Sequence, residues 1–269
     1  ISYKKYGYFQ SEKETFDLIV ENTNIKRRDG KVCRHPLVFL LEAADDIAYS
    51  VADIEDGIKK KIITLEDVNN ILEQVLYYND DNSRRNITEK EEELFLTLKL
   101  QIDDGYINNE ERIVQIFRAR VQNFMIESVV EKFVEEYDSI MNGRFDHELL
   151  NVSCAGRIRK AFKEIAKNIF NDKEIIQNEL AGEKVVTNLL VLFVGAVTNM
   201  DDKRKLLFQK NGTKESRLYE MISDNYRYIY SYHSSKTLYD RLLLVTDYIS
   251  GMTDYYALRL YKSLNGISV

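Results

Sequence analysis

The sequence predicts an all-α fold, and three observations carry that prediction. The 269 residues include only 1 Pro and 11 Gly, so the punctuation that strands and tight hairpins need is nearly absent. Hydroxyl residues followed three positions later by an acid recur ahead of apolar segments, the pattern in which both side chains satisfy free backbone N–H groups at a helix start. Apolar residues then return every three or four positions. Hydrophobic residues make up 44% of the chain, enough for a proper core in one large domain or two smaller ones.

Taken in order, Ser11 with Glu14 marks a first helix start. Pro36, the lone proline, suits the first turn of a helix running to about Lys60, because its missing N–H costs nothing there and its fixed φ is already helical. Thr64 with Asp67 opens a helix over 65–77, and Thr88 with Glu91 opens one over 89–103. The longest segment, 108–142, keeps Ile113, Ile116, Phe117, Val121, Phe124, Met125 and Ile126 at helical spacing. Helices over about 157–171, 183–199, 215–232 and 236–264 follow, with Gly143, Gly156 and Gly182 as boundaries. No linker composition divides the chain, so a single helical unit over 1–269 is expected. The run Val185 to Val197 is interrupted by Thr187 and Asn188 and is too short to cross a bilayer, which makes it a core helix and gives no membrane span.

Formal charge is 38 minus 44, or −6, which leaves no global positive field for nucleic acid or an anionic membrane. Two cysteines, Cys33 and Cys154, make neither a disulfide framework nor a zinc cluster, so a reducing, cytoplasmic setting is expected. The chain begins at Ile1, without an initiator Met or the layout of a signal peptide, as a piece of something longer would.

The stretch "LLEAADDIAYSVADIEDG", Leu40 to Gly57, carries six carboxylates on a helix that otherwise reads as buried. At 100° per residue, Leu40, Leu41, Ala44, Ile47, Ala48, Val51, Ile54 and Ile58 fall in one arc, the expected buried face. Glu42, Asp45, Tyr49, Asp53 and Asp56 fall opposite, with Asp45, Tyr49 and Asp53 stacked one turn apart. Such a ridge is either a solvated face or a site. As a solvated face it is a poor choice, because no Lys or Arg within Glu42 to Gly57 offsets the repulsion of the acids. As a site, it suits a divalent cation through oxygen ligation, or ligand hydroxyls through charge-assisted hydrogen bonds.

"RHPLVFLLEAADDIAYSVADIEDGI", Arg34 to Ile58, resembles the signature of the deoxyguanosine triphosphate triphosphohydrolase family of HD-domain phosphohydrolases. The resemblance continues through "KYGYFQSE" (Lys5 to Glu12), "FDHELL" (Phe145 to Leu150), "ESRLY" (Glu215 to Tyr219) and "DYISGMTDYYALRLY" (Asp247 to Tyr261), in the family's order. It covers essentially the whole chain, which corresponds to about the C-terminal half of a family member. It implies a multi-helix HD-domain-type fold and cleavage of a deoxynucleoside triphosphate, dGTP for preference, into deoxynucleoside and intact triphosphate. It implies Asp45 as a ligand of a divalent metal, Mg²⁺ or Mn²⁺, Tyr49 against the deoxyribose, and Asp53 as acceptor of the 3′-hydroxyl hydrogen bond. It also implies a homo-oligomer.

The departure lies in the histidines. His35, His147 and His233 are the only three, and none is followed by Asp, so the family's H…HD ligands are missing and the chain is expected to be inactive alone. His35 is expected to cap or pack the turn before Pro36. Arg118, in "QIFRARVQNF", matches an arginine in the long helix of relatives and is a candidate to meet the triphosphate, for which a planar guanidinium is well shaped, and reads equally as a surface helix arginine. Gly251 is expected to let another backbone approach. Basic clusters at Lys26-Arg27-Arg28, Lys59 to Lys61, Arg157-Arg159-Lys160 and Lys203-Arg204-Lys205 read as solvated faces, or as attractors of triphosphate or of the single-stranded DNA that some relatives bind as an effector.

Overall fold

The computed structural model describes residues 7–27, 29–79, 81, 83–103, 110–198, 212–232 and 236–267. Their regular elements are helices, as the composition predicts. Extended pairing among the described residues is limited to two isolated antiparallel bridges, Lys26 with Val32 and Tyr78 with Arg84. The chain divides into two compact units, Ile1–Asp172 and Lys173–Val269, at a short junction without Gly or Pro that leaves no compositional mark.

The first unit holds α1 (Lys13–Asn22), α2 (Pro36–Lys59), α3 (Leu65–Tyr77), α4 (Glu89–Asp103), α5 (Glu110–Glu135), α6 (Tyr137–Met141), α7 (Leu149–Val152) and α8 (Gly156–Phe170). Helix α2 packs on α5, α7 and α8, while α3 packs on α4 and α8. The side chains of α2 that reach this core are Phe39, Ala43, Ile47, Val51, Ile54 and Ile58, spaced four or three apart. That row overturns part of the expected arc: Leu41, Ala44 and Ala48 face outward, with Leu41 70% exposed. Hydrophobicity alone misplaced the face because α2 is apolar on more than one side.

Helix α2 begins as predicted. The His35 Nδ1 accepts the Leu37 N–H at 3.2 Å, and Pro36 takes the first position. It ends where Lys61 turns to positive φ, so that the Ile62 N–H reaches the Gly57 carbonyl and the Lys61 N–H that of Ile58, both at 2.9 Å. The same closure at Gly143, φ 63°, ends α6, where the Arg144 N–H donates to the Ser139 carbonyl at 2.8 Å.

The Thr64–Asp67 and Thr88–Glu91 pairs form the reciprocal bonds expected of them. The Ser11–Glu14 pair does not; a 3₁₀ turn over Gln10–Glu12 precedes α1, and the Glu12 carboxylate accepts from the Phe9 N–H instead.

The second unit holds α9 (Lys173–Thr198), α10 (Lys214–Met221), α11 (Asp224–Tyr232), α12 (Leu238–Ser250) and α13 (Asp254–Leu264). Helix α9 packs against α10, α12 and α13, burying Val185, Leu189, Phe193, Ala196 and Val197. It starts ten residues before the expected boundary and passes straight through Gly182, where an added Cβ would meet nothing within 4 Å. Only one face of it is core. The expected helix over 215–232 breaks at buried Ile222, and that over 236–264 breaks where Thr253 caps α13 by accepting from the Tyr256 N–H. Gly251 closes α12, and what comes close to it is the Tyr226 phenol, whose Oη fills the space a Cβ would take, rather than the backbone of another element.

Candidate functional site

Helix α2 sorts its six acids into two groups. Glu42 accepts from the Arg34 Nη1 at 2.7 Å; Arg34 is buried, stacks over the Phe39 ring at 4.1 Å, and also donates to the His147 carbonyl at 3.2 Å. Asp46 accepts from the Arg159 Nη2 at 2.5 Å, and the Arg159 Nη1 donates to the Asn151 Oδ1 at 2.7 Å. Glu55 accepts from Lys59 and from the Arg118 Nη1, both at 2.6 Å, and these two cations hold its carboxyl below the ordinary carboxylate value, Lys59 most strongly. Asp45, Asp53 and Asp56 take no ion pair among the described residues.

The ridge is therefore an outward face. Asp45 is exposed, Tyr49 is 66% exposed, and Asp53 is half-buried one turn further on. Partial burial first, and then the charge of Asp56, push the Asp53 carboxyl above its ordinary value. Leu37, Leu41, Ala44 and Ala48 lie along the same outward side, so the ridge borders an apolar strip.

Arg118 is exposed and engaged with Glu55, at the far flank of α2 from Asp53 on the helical wheel. His35 caps α2 and His147 offers its carbonyl to Arg34, while its ring meets Phe145 edge-on at 5.8 Å. His233 lies outside the described residues. No group of three His, Cys, Asp or Glu side chains is gathered among the described residues in a way that could hold a metal ion. A groove of about 580 Å³ between α4 and α5, with Lys90, Glu93, Arg120 and Glu127 in its mixed-charge lining, contains none of the predicted site residues.

Sequence reasoning missed the supports. Arg157 and Arg159 do not form a solvated face: Arg159 is buried, and the Arg157 Nη2 donates at 2.5 Å to the fully buried Glu91. The block "FDHELL" also proves to be a brace for α2. Phe145 packs edge-on to Phe39 at 5.4 Å, the His147 carbonyl holds Arg34, and Glu148 stands 3.5 Å from Arg159.

Comparison with known proteins adds the decisive observation. Two proteins named deoxyguanosinetriphosphate triphosphohydrolase-like, from Listeria monocytogenes and Listeria innocua, are each 36% identical to this chain over 276 aligned positions, covering 100% of it and 56% of their own length. The chain is similar along its whole length to part of these triphosphohydrolase-like proteins. A Synechocystis protein of the same name is 29% identical over 100% of the chain and 54% of its own length. The chain thus spans about half the length of the triphosphohydrolase-like relatives it matches.

A model of the phosphohydrolase-associated domain matches residues 216–263, from α10 into α13. Most of the blocks "ESRLY" and "DYISGMTDYYALRLY" falls inside that match, and the structure shows what they build. Tyr248 packs edge-on against Phe193 at 5.3 Å and donates from Oη to the Met221 carbonyl at 3.0 Å. Burial, with the Tyr256 hydroxyl beside it, drives the Tyr248 phenol above its ordinary range. These triphosphohydrolase-like blocks are packing elements of the second unit, while Tyr255 stays 71% exposed.

Proposed function

We propose that α2 supplies one wall of the active site of a metal-dependent deoxynucleoside triphosphate triphosphohydrolase that prefers dGTP and releases deoxynucleoside and intact triphosphate. The observation that carries this reading is the partition of the acids. Glu42, Asp46 and Glu55 are held by arginines and a lysine, whereas Asp45, Tyr49 and Asp53 form an outward, unpaired row one turn apart. Water satisfies exposed Asp45 without a cation, but Asp53 is half-buried and still takes no ion pair among the described residues, which a ligand hydroxyl would explain. Similarity along the whole of this chain to about half the length of proteins named triphosphohydrolase-like supports the reaction class.

In this reading Tyr49 is the platform for the deoxyribose, placed where a 2′-hydroxyl would clash, and Asp53 accepts from the 3′-hydroxyl. Arg118 turns from Glu55 to the triphosphate. Asp45 is one oxygen donor for Mg²⁺ or Mn²⁺. One carboxylate does not fit a complete metal site, since such sites use three or more protein ligands, and the described residues supply no such set. An upstream H…HD segment is proposed to bring the rest, so that the chain alone is inactive. A cytoplasmic homo-oligomer, with no membrane span and with single-stranded DNA as an effector, completes the proposal.

The test joins the chain to an H…HD segment and follows triphosphate release from dGTP and GTP with Mg²⁺ or Mn²⁺. Activity is expected only in the joined protein, lost in Asp45→Ala, and with dGTP favoured over GTP less strongly in Tyr49→Ala. No release of triphosphate under any metal would sink the enzymatic reading.

A second reading is a helical regulatory or assembly module without catalysis, in keeping with the described residues, which gather no three-ligand metal group. In that case Asp45→Ala leaves partner binding and oligomeric state unchanged.

A further inference from the structure

The outward face of α9 is apolar where a solvated helix should be polar. Leu180 and Val191 are 59% and 67% exposed, and Ile176 and Thr187 share their arc at 100° per residue. A shallow groove of about 530 Å³ runs along this face, lined by Leu180, Glu183, Lys184, Thr187, Asn188 and Val191. Glu183 and Lys184 sit at its middle, exposed and without an ion pair among the described residues. The opposite face, with Val185, Leu189 and Phe193, is the one that serves the core.

We infer that this face pairs with the same face of a second copy, the two α9 helices antiparallel about a twofold axis between Glu183 and Lys184. The sequence of the row is what selects that occupant. A twofold contact must be self-complementary, each residue meeting the one equally far on the other side of the axis. About this axis Lys184 of one copy meets Glu183 of the other, and does so twice. Leu180 meets Thr187, and Ile176 meets Val191, so apolar side chains flank the central charge pairs on both sides. All these residues flank the axis within the same arc of the wheel, so the register that pairs the charges also buries the apolar row. From Ile176 to Val191 the seam is roughly 22 Å long.

A bilayer fits less well. The apolar stretch left after Lys184 is Val185–Thr198, about 21 Å of helix against roughly 30 Å of hydrocarbon. Glu179, Glu183 and Lys184 stand where the remainder would have to be.

Sedimentation velocity of the full chain, from about 1 to 100 μM, tests the pairing. A concentration-dependent dimer is expected. Leu180→Glu and Val191→Glu should yield monomer, with the circular dichroism spectrum unchanged because both side chains are exposed. The charges give the sharper test. Glu183→Lys sets lysine against Lys184 across the axis and should weaken the dimer by about tenfold or more, as should Lys184→Glu. The double variant, Glu183→Lys with Lys184→Glu, restores both cross-axis pairs and should recover affinity to within about threefold of wild type, which a merely structural effect of either charge would not do. A monomer at every concentration would overturn the inference. So would a dimer indifferent to these substitutions, or flotation of the chain with phosphatidylcholine vesicles in place of self-association.

Discussion

The Arg159 guanidinium meets the Asp46 carboxylate at 2.5 Å, joining α8 to α2 at the residue next to Asp45. Arg159 is buried, and its other bond, to the Asn151 Oδ1, ties the same group to α7. One guanidinium thus fixes the rotation of α2 about its axis on the side where the ridge begins. Replacing Arg159 with Met keeps much of the volume and removes the cation, leaving Asp46 and Asn151 with unmade bonds. Because Asp46 keeps some access to water, the loss should be roughly 2–4 kcal/mol, below or within the range for breaking a fully buried pair. Urea unfolding of wild type and Arg159→Met measures it, and an unchanged midpoint would show that the pair is only a surface contact.

Gly156 controls the same junction through the backbone. A Cβ there would overlap the Asn151 carbonyl oxygen, which is backbone of α7 and cannot swing aside as a side-chain tip can. Alanine would ordinarily favour the first turn of α8 by up to about 1 kcal/mol. Here overpacking should win, for a net destabilisation of about 1–3 kcal/mol. The displaced Asn151 should also loosen its hold on Arg159. Gly156→Ala should therefore lose stability less than additively with Arg159→Met in a double-mutant cycle.

The bounds of α2, α3 and α4 were legible because Pro36, Thr64 and Thr88 act within one helical turn, at a range that a linear reading covers. Asp45, Tyr49 and Asp53 were legible as a ridge for the same reason: their register depends only on helical period. The cations that neutralise the neighbouring acids were not legible. Arg118 and Arg159 lie 63 and 113 residues away from Glu55 and Asp46, and only the packing of α5 and α8 against α2 brings them there. Nor was the outward turn of Leu41 and Ala48, since α2 carries more apolar residues than its core contact uses. The break at Ile222 escaped notice because no Gly or Pro stands there, and the one before Thr253 because Gly251, which closes α12, read as a close-approach position inside one longer helix.

Glu55 makes acid stability measurable at one residue. Lys59 and then Arg118 hold its carboxyl below the ordinary value of 4.5. A carboxylate depressed in the fold contributes stability that is present above its unfolded value and is lost as pH falls through the folded one. The gap in stability between wild type and Glu55→Gln should be constant near neutrality, roughly 1–2 kcal/mol for bonds to partly exposed cations. It should close as pH drops below about 4.5. Paired urea titrations at a series of pH values read this difference directly, and a gap that widens in acid would contradict the arrangement.

Asp53 has the opposite sign. Burial, and secondarily Asp56, raise its carboxyl above the ordinary value of 3.8. Ionising it therefore costs the folded state more than the unfolded chain. The penalty is absent at pH below 3.8, grows as pH rises through the raised folded value, and stays constant above it. Asp53→Asn should accordingly be more stable than wild type near neutrality, by up to about 1 kcal/mol, and indistinguishable from it in strong acid. Asp56→Asn should move the Asp53 carboxyl only part of the way back, because burial is the larger cause and remains. Carboxyl-carbon NMR titration of the two proteins separates these causes: a complete return in Asp56→Asn would make charge repulsion, not burial, the dominant one.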